Sequence, residues 1–104
     1  MVSGLEFGEL LEKYNEVRLQ FITAELDLGI TFCQCASTAT EEAIAERNER
    51  NAARAYQSAV KTLGNLSLDG HPDIAVKLRR LSEMLPKMQR RSTKRPRQFQ
   101  RRHS

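Results

Sequence analysis

Residues 10–36, LLEKYNEVRLQFITAELDLGITFCQCA, decide the fold. Leu10, Tyr14, Val17, Phe21, Ala24, Leu28, Thr31 and Cys35 recur at steps of 4,3,4,3,4,3,4, a rhythm that holds one helix face toward a partner helix. Beside them runs a second stripe, Leu19, Ile22, Leu26, Ile30 and Cys33. Two stripes call for two neighbours. The pattern predicts one helix from about Gly4 to Ala36, ~50 Å long at about 1.5 Å per residue.

Ser37 to Thr40 interrupts the pattern. Thr38 and Glu41 stand at capping-box spacing, where each side chain satisfies a free backbone N–H at the start of a helix. The next helix is expected over about Thr40–Leu66, with Ala45, Ala52, Tyr56, Ala59, Leu63 and Leu66 turned inward. Small residues dominate that face and allow two backbones to approach closely. The run Ser67-Leu68-Asp69-Gly70-His71-Pro72 is a firm break, and Pro72 suits the first position of a third helix. Ile74, Leu78, Leu81, Leu85 and Met88 give that helix its stripe, and Pro86 is expected to end or kink it. The expected fold is all-α. A long antiparallel helical hairpin is joined by a shorter third helix in a three-helix bundle, with helices over about 4–36, 40–66 and 72–88. The helical domain spans 1–86 and a disordered basic tail spans 89–104.

Residues 21–66 resemble a tetratricopeptide-repeat helical hairpin. Leu28-Gly29 followed by Phe32 matches the first helix of that motif, and Ala52, Tyr56 and Ala59 match the second. The copy is single and elongated: Gly29 and Ala52 stand about twice as far apart as in the repeat, and Glu25 occupies an aromatic position. The resemblance implies peptide or protein binding but carries over no ligand-contacting residue.

Short connections make neighbouring helices antiparallel. The expected third helix lies along residues 8–24 of the first. That leaves Leu26, Ile30 and Cys33, with Ile44 across the turn, as an uncovered apolar strip able to receive a partner, itself or another protein. The alternative is a bent first helix that covers the strip internally.

Length allows one domain. Apolar residues make up 39% of the chain, below the usual ~45–50%, which implies a thin core. Charge is partitioned: residues 1–86 carry 9 Lys/Arg against 13 Asp/Glu, and residues 87–104 carry 8 Lys/Arg and no acid. Arg90, Arg91, Lys94, Arg95, Arg97, Arg101 and Arg102 could neutralise several phosphates together, and Phe99 could stack on an unpaired base. The alternative is a solubilising tail. No secretory signal or membrane span is evident, and Cys33 and Cys35 are placed to opposite sides of a helix, which argues against a disulfide and for a reducing, cytoplasmic setting.

Candidate chemistry is sparse. Cys33-Gln34-Cys35 lacks the further ligands that structural zinc requires, and both cysteines read as small core residues. No Glu-x-x-His pair, phosphate-cradling glycine loop or nucleophile elbow occurs. Arg47, Asn48 and Asn51 form a polar face that reads as solvated. No catalytic, cofactor-binding or metal-binding residue, cofactor or small-molecule substrate is assigned. The expectation is a non-enzymatic protein–protein interaction or oligomerisation module. The alternative is a small nucleic-acid-associated protein acting through its basic tail.

Overall fold

Residues 4–38 contain no proline, and in the computed structural model they form one helix, α1 (Gly4–Thr38). The structure describes residues 4–94, with side chains over 6–87. Four hydroxyl side chains of α1 fold back onto its own carbonyls: Thr23 Oγ1 donates to Leu19 O, Thr31 to Asp27 O, Ser37 Oγ to Cys33 O and Thr38 Oγ1 to Gln34 O. Thr38 is therefore the last residue of α1 and does not cap the next helix. The expected capping box does not form. Glu41, extended at φ −102°, takes the cap position of α2 (Glu42–Leu63) with no side-chain cap hydrogen bond.

Helix α2 stops three residues before its expected end. Gly64 terminates it at φ +51°, a left-handed conformation that glycine adopts without Cβ strain, and its N–H donates to Val60 O at 3.1 Å. The last carbonyls of α2 are met from α1: Arg18 Nη2 donates to Thr62 O at 2.7 Å and to Leu63 O at 3.1 Å. Terminal carbonyls lack intrahelical partners, so this guanidinium fixes where along α1 the second helix ends. The following loop closes with His71 N–H donating to Leu68 O, and Pro72 opens α3 (Pro72–Lys94) as expected.

Helix α3 passes through Pro86 and continues to Lys94. The helix expected to end near Met88 thus extends into residues first read as tail. Among the described side chains its last buried residue, Leu81, lies more than a turn before the proline, and Pro86 itself borders α2 beside Ala53, Tyr56 and Gln57.

The course of α3 differs from the expected one. Lys77 Nζ lies 2.8 Å from Asp27 Oδ1, and Leu81 packs on Gly29. The helix therefore rises beside the C-terminal half of α1, parallel to it. The cause is geometric: α2 ends at the level of Arg18, the loop is short, and a helix starting there and antiparallel to α2 must run back toward the α1–α2 turn.

The core follows from that arrangement. Ile22, Leu26, Ile30, Cys33 and Ala36 of α1 meet Ala45, Ala52, Ala55 and Ala59 of α2, with Ile74 and Leu81 of α3. Leu19, Phe32, Tyr56, Leu63, Leu68, Leu78, Met84 and Leu85 close its edges. Gly29 is required where the three helices meet: a Cβ there would stand 2.5 Å from Leu81 Cδ2 and 3.3 Å from Ala55 Cβ. The alanine face of α2 and Gly29 are complementary reductions in bulk.

Candidate docking face on the first helix

The two stripes of α1 exchange the roles expected of them. Leu26, Ile30 and Cys33, expected to form an open strip, are buried in the chain's own core; Ile44 alone of that set is exposed. The physical reason is the path of α3, which covers the half of α1 that was expected to lie bare. The stripe expected to face a partner helix within the chain is the one left open. Phe7 is 63% exposed, Leu10 60%, Tyr14 61% and Val17 61%. Leu11, Phe21 and Leu28 are exposed as well, and so are Ala24, Thr31 and Cys35. Cys35, read as a core residue, is on this outer face, whereas Cys33 is buried.

Two features build the face. The first is length. Helix α1 has 35 residues and α2 has 22, so at about 1.5 Å per residue α1 overruns α2 by roughly 20 Å. The core cluster begins at Leu19, and residues 6–17 form an arm beyond it. The second is periodicity. Phe7, Leu10, Tyr14, Val17, Phe21, Ala24, Leu28, Thr31 and Cys35 alternate steps of three and four along the arm and on over the body. They keep to one line, roughly opposite the line of Ile22, Leu26 and Cys33. A helix apolar on opposite faces is ordinarily buried on both.

The exposed area is large. At roughly 200 Å² for a fully exposed aromatic side chain, and less for Leu and Val, Phe7, Leu10, Leu11, Tyr14, Val17, Phe21 and Leu28 together present on the order of 700 Å². That is above the ~300–600 Å² largest patch of a typical monomer and near the ~800 Å² each partner contributes to a standard interface. Polar residues border the line: Glu6, Lys13, Gln20 and Asp27 on one side, Arg18 and Glu25 on the other. Arg18 also lies over the Tyr14 ring, 5.5 Å from its centroid.

Other candidate groups are elsewhere. Asn48 Nδ2 donates to Ile44 O of its own helix. Asn51 borders a shallow groove with Glu25, Leu28, Phe32 and Arg54. His71 lies in the loop before α3, where its carbonyl accepts from Ala75 N–H. Burial pushes the Cys33 thiol pKa up, and the Glu49 carboxylate pushes the same way. Among the described residues no group of three or more His, Cys, Asp or Glu could hold a metal ion, and no helix is long and apolar enough to cross a membrane. Of the basic residues first singled out, Arg90, Arg91 and Lys94 fall on the last two turns of α3, where only the backbone is described; Arg95, Arg97, Arg101 and Arg102 lie outside the described residues.

Sequence reasoning missed Arg18 as the clamp on α2, and it read Phe7 and Leu11 into no stripe. Phe7 was open to discovery, since it extends the alternation by one step. No family model matches the chain, and no curated protein or solved structure matches it either.

Proposed function

We propose that this chain is a non-enzymatic helical interaction module whose docking face is the outer line of α1, from Phe7 to Leu28. The observation that carries the reading is the continuous exposure of large apolar residues along that line. Water at such a surface is released when a second apolar helix covers it, at about 25 cal/mol per Å² of apolar area. A partner helix with its own three–four alternation fits by inserting side chains between those of α1. The tetratricopeptide-like residues Leu28-Gly29, Phe32, Ala52, Tyr56 and Ala59 support the same class of role, protein or peptide binding. We place the protein in the cytoplasm, a setting suited to two free thiols.

The test is site-specific photo-crosslinking in cells that make the protein. A photoreactive residue replaces Val17 on the face and, separately, Val76, an exposed residue of α3. The expected outcome is a protein adduct, with its own chain or another, at position 17 and little at 76. Equal adduct yields at the two positions, or none at 17, would remove the docking face.

A second reading rests on charge. The 8 Lys/Arg and absence of acid over residues 87–104 suit a salt-sensitive grip on nucleic acid or another polyanion. Fluorescence anisotropy across a salt series, comparing the full chain with residues 1–87, separates the cases. Binding by the full chain alone, falling steeply with salt, supports a polyanion arm; equal behaviour of the two contradicts it.

A further inference from the structure

We propose that the occupant of the α1 face is a second copy of this chain, laid antiparallel, with Val17 of each copy against Leu28 of the other. This inference rests on reading that line as a docking face. Three observations select the occupant and its direction.

The first is size. In an antiparallel pair at this register, Phe21 meets Ala24, Tyr14 meets Thr31 and Leu10 meets Cys35, each large side chain opposite a small one. Facing large and small residues interdigitate and fill space. A parallel, in-register pair sets Phe21 on Phe21, Ala24 on Ala24 and Thr31 on Thr31, alternating crowded layers with voids, and each void forfeits contacts.

The second is charge at the borders of the line. In the antiparallel register Arg18 of one copy approaches Glu25 of the other, twice by symmetry, and Leu11 approaches Phe32. In a parallel pair Lys13 approaches Arg18, a like-charge contact also made twice. Border charges of this kind set orientation in paired helices.

The third is area. Each copy offers on the order of 700 Å², and a two-fold pair of such faces falls within the ~1,200–2,000 Å² of a standard stable interface. The antiparallel arrangement also lays the arm of each copy along the body of the other. Residues 6–17, which have no core contacts of their own, gain cover. A two-fold contact of one face with itself is the commonest form of homodimer.

Cys35, exposed on the line, provides the test. In the antiparallel pair the two Cys35 residues are separated by about 25 helical steps, roughly 37 Å, and each faces Leu10 of the other copy. The full native chain and the exposed-site variant Leu10→Cys are oxidised with copper phenanthroline in dilute solution, beside the double variant Leu10→Cys, Cys35→Ser. Solution mass is measured in parallel. The expected result is a two-chain mass for native protein without covalent linkage, efficient linkage in Leu10→Cys, and much reduced linkage in the double variant. Efficient linkage of native chains through Cys35 would overturn the antiparallel direction. A one-chain mass up to about 100 µM with no linkage in any form would overturn the second copy as occupant. In that event the Val17 adduct still decides separately whether the face docks a different protein.

Discussion

Gly29 and Arg18 both bear on how the helices sit against one another, Gly29 by the room it leaves for Leu81 and Arg18 by its hydrogen bonds to the end of α2. Gly29→Ala places a Cβ against Leu81, which is fully buried and has little room to move. Overpacking in a core costs about 1–3 kcal/mol, partly offset by the better helix propensity of alanine, about 1 kcal/mol. The expected net loss is up to about 2 kcal/mol in urea unfolding, and Gly29→Val, bulkier and without alanine's helix propensity, should lose more. An unchanged midpoint would mean that α3 does not seat on Gly29. Arg18→Met keeps much of the aliphatic stem but removes two hydrogen bonds to the end of α2. Bonds to a charged group contribute about 1.5–3 kcal/mol when well made. Because Arg18 is partly exposed, a loss of about 1–2 kcal/mol is expected, read in the same melt.

Cys33 and Cys35 should separate by reactivity. Cys33 is buried with its pKa raised; Cys35 is exposed. The thiolate is the reactive form, so alkylation at mildly alkaline pH should modify Cys35 in the folded monomer and Cys33 only after unfolding. Modification of both at equal rates would contradict the packing. The raised pKa also gives a sign to the pH dependence. The folded state holds the Cys33 proton more tightly than the unfolded chain, so its contribution is fully present below the unfolded thiol pKa. It is lost as pH rises through the folded value, and stability should decline on the alkaline side.

Among the elements, α1 carries most of the account because it is apolar on two sides. Substitutions on its outer line are predicted to act on the proposed association and to leave the fold of one copy intact. Phe21→Glu, measured in dilute solution where the chain is single, should change unfolding free energy by no more than about 0.5 kcal/mol, the usual range for surface positions. Ile22→Glu, one residue away and buried, should abolish folding. A large loss in single-copy Phe21→Glu would mean the outer line is covered within the chain. The helices themselves were legible in the sequence: the alternation at 10–35, the alanine face of α2 and Pro72 locate all three elements. Their ends were less so. Thr38 turned its hydroxyl back into α1, Gly64 stopped α2 early, and Pro86 did not stop α3, because each outcome depends on what packs beside it.

Which α1 stripe faces inward was only half legible. Both stripes have similar spacing and bulk, and periodicity alone gives no inside or outside. The distinguishing signal was Gly29, which lies one turn from Leu26 and Cys33 and marks the face where bulk must be absent. The course of α3 follows from chain order: a third helix in an up–down–up path is parallel to the first and begins where the second ends. The Arg18 clamp was not legible, since the pairing of an arginine with carbonyls 44 and 45 residues away exists only once the helices are registered.

At the scale of the whole molecule, the extents of 69 × 27 × 19 Å describe a rod with one apolar line along most of α1. An arm of about 12 residues is at the lower limit for an isolated helix in water, so residues 6–17 should open readily in a single copy. In the proposed pair, cover by the second copy would supply the contacts that hold them. Amide hydrogen exchange, read residue by residue as protein concentration is raised from low to high micromolar, measures this directly. The account predicts fast exchange over 6–17 in dilute protein, strong slowing of the same amides as concentration rises, and slow exchange over 22–36 throughout. Exchange over 6–17 that is independent of concentration, whether fast or slow, would contradict it.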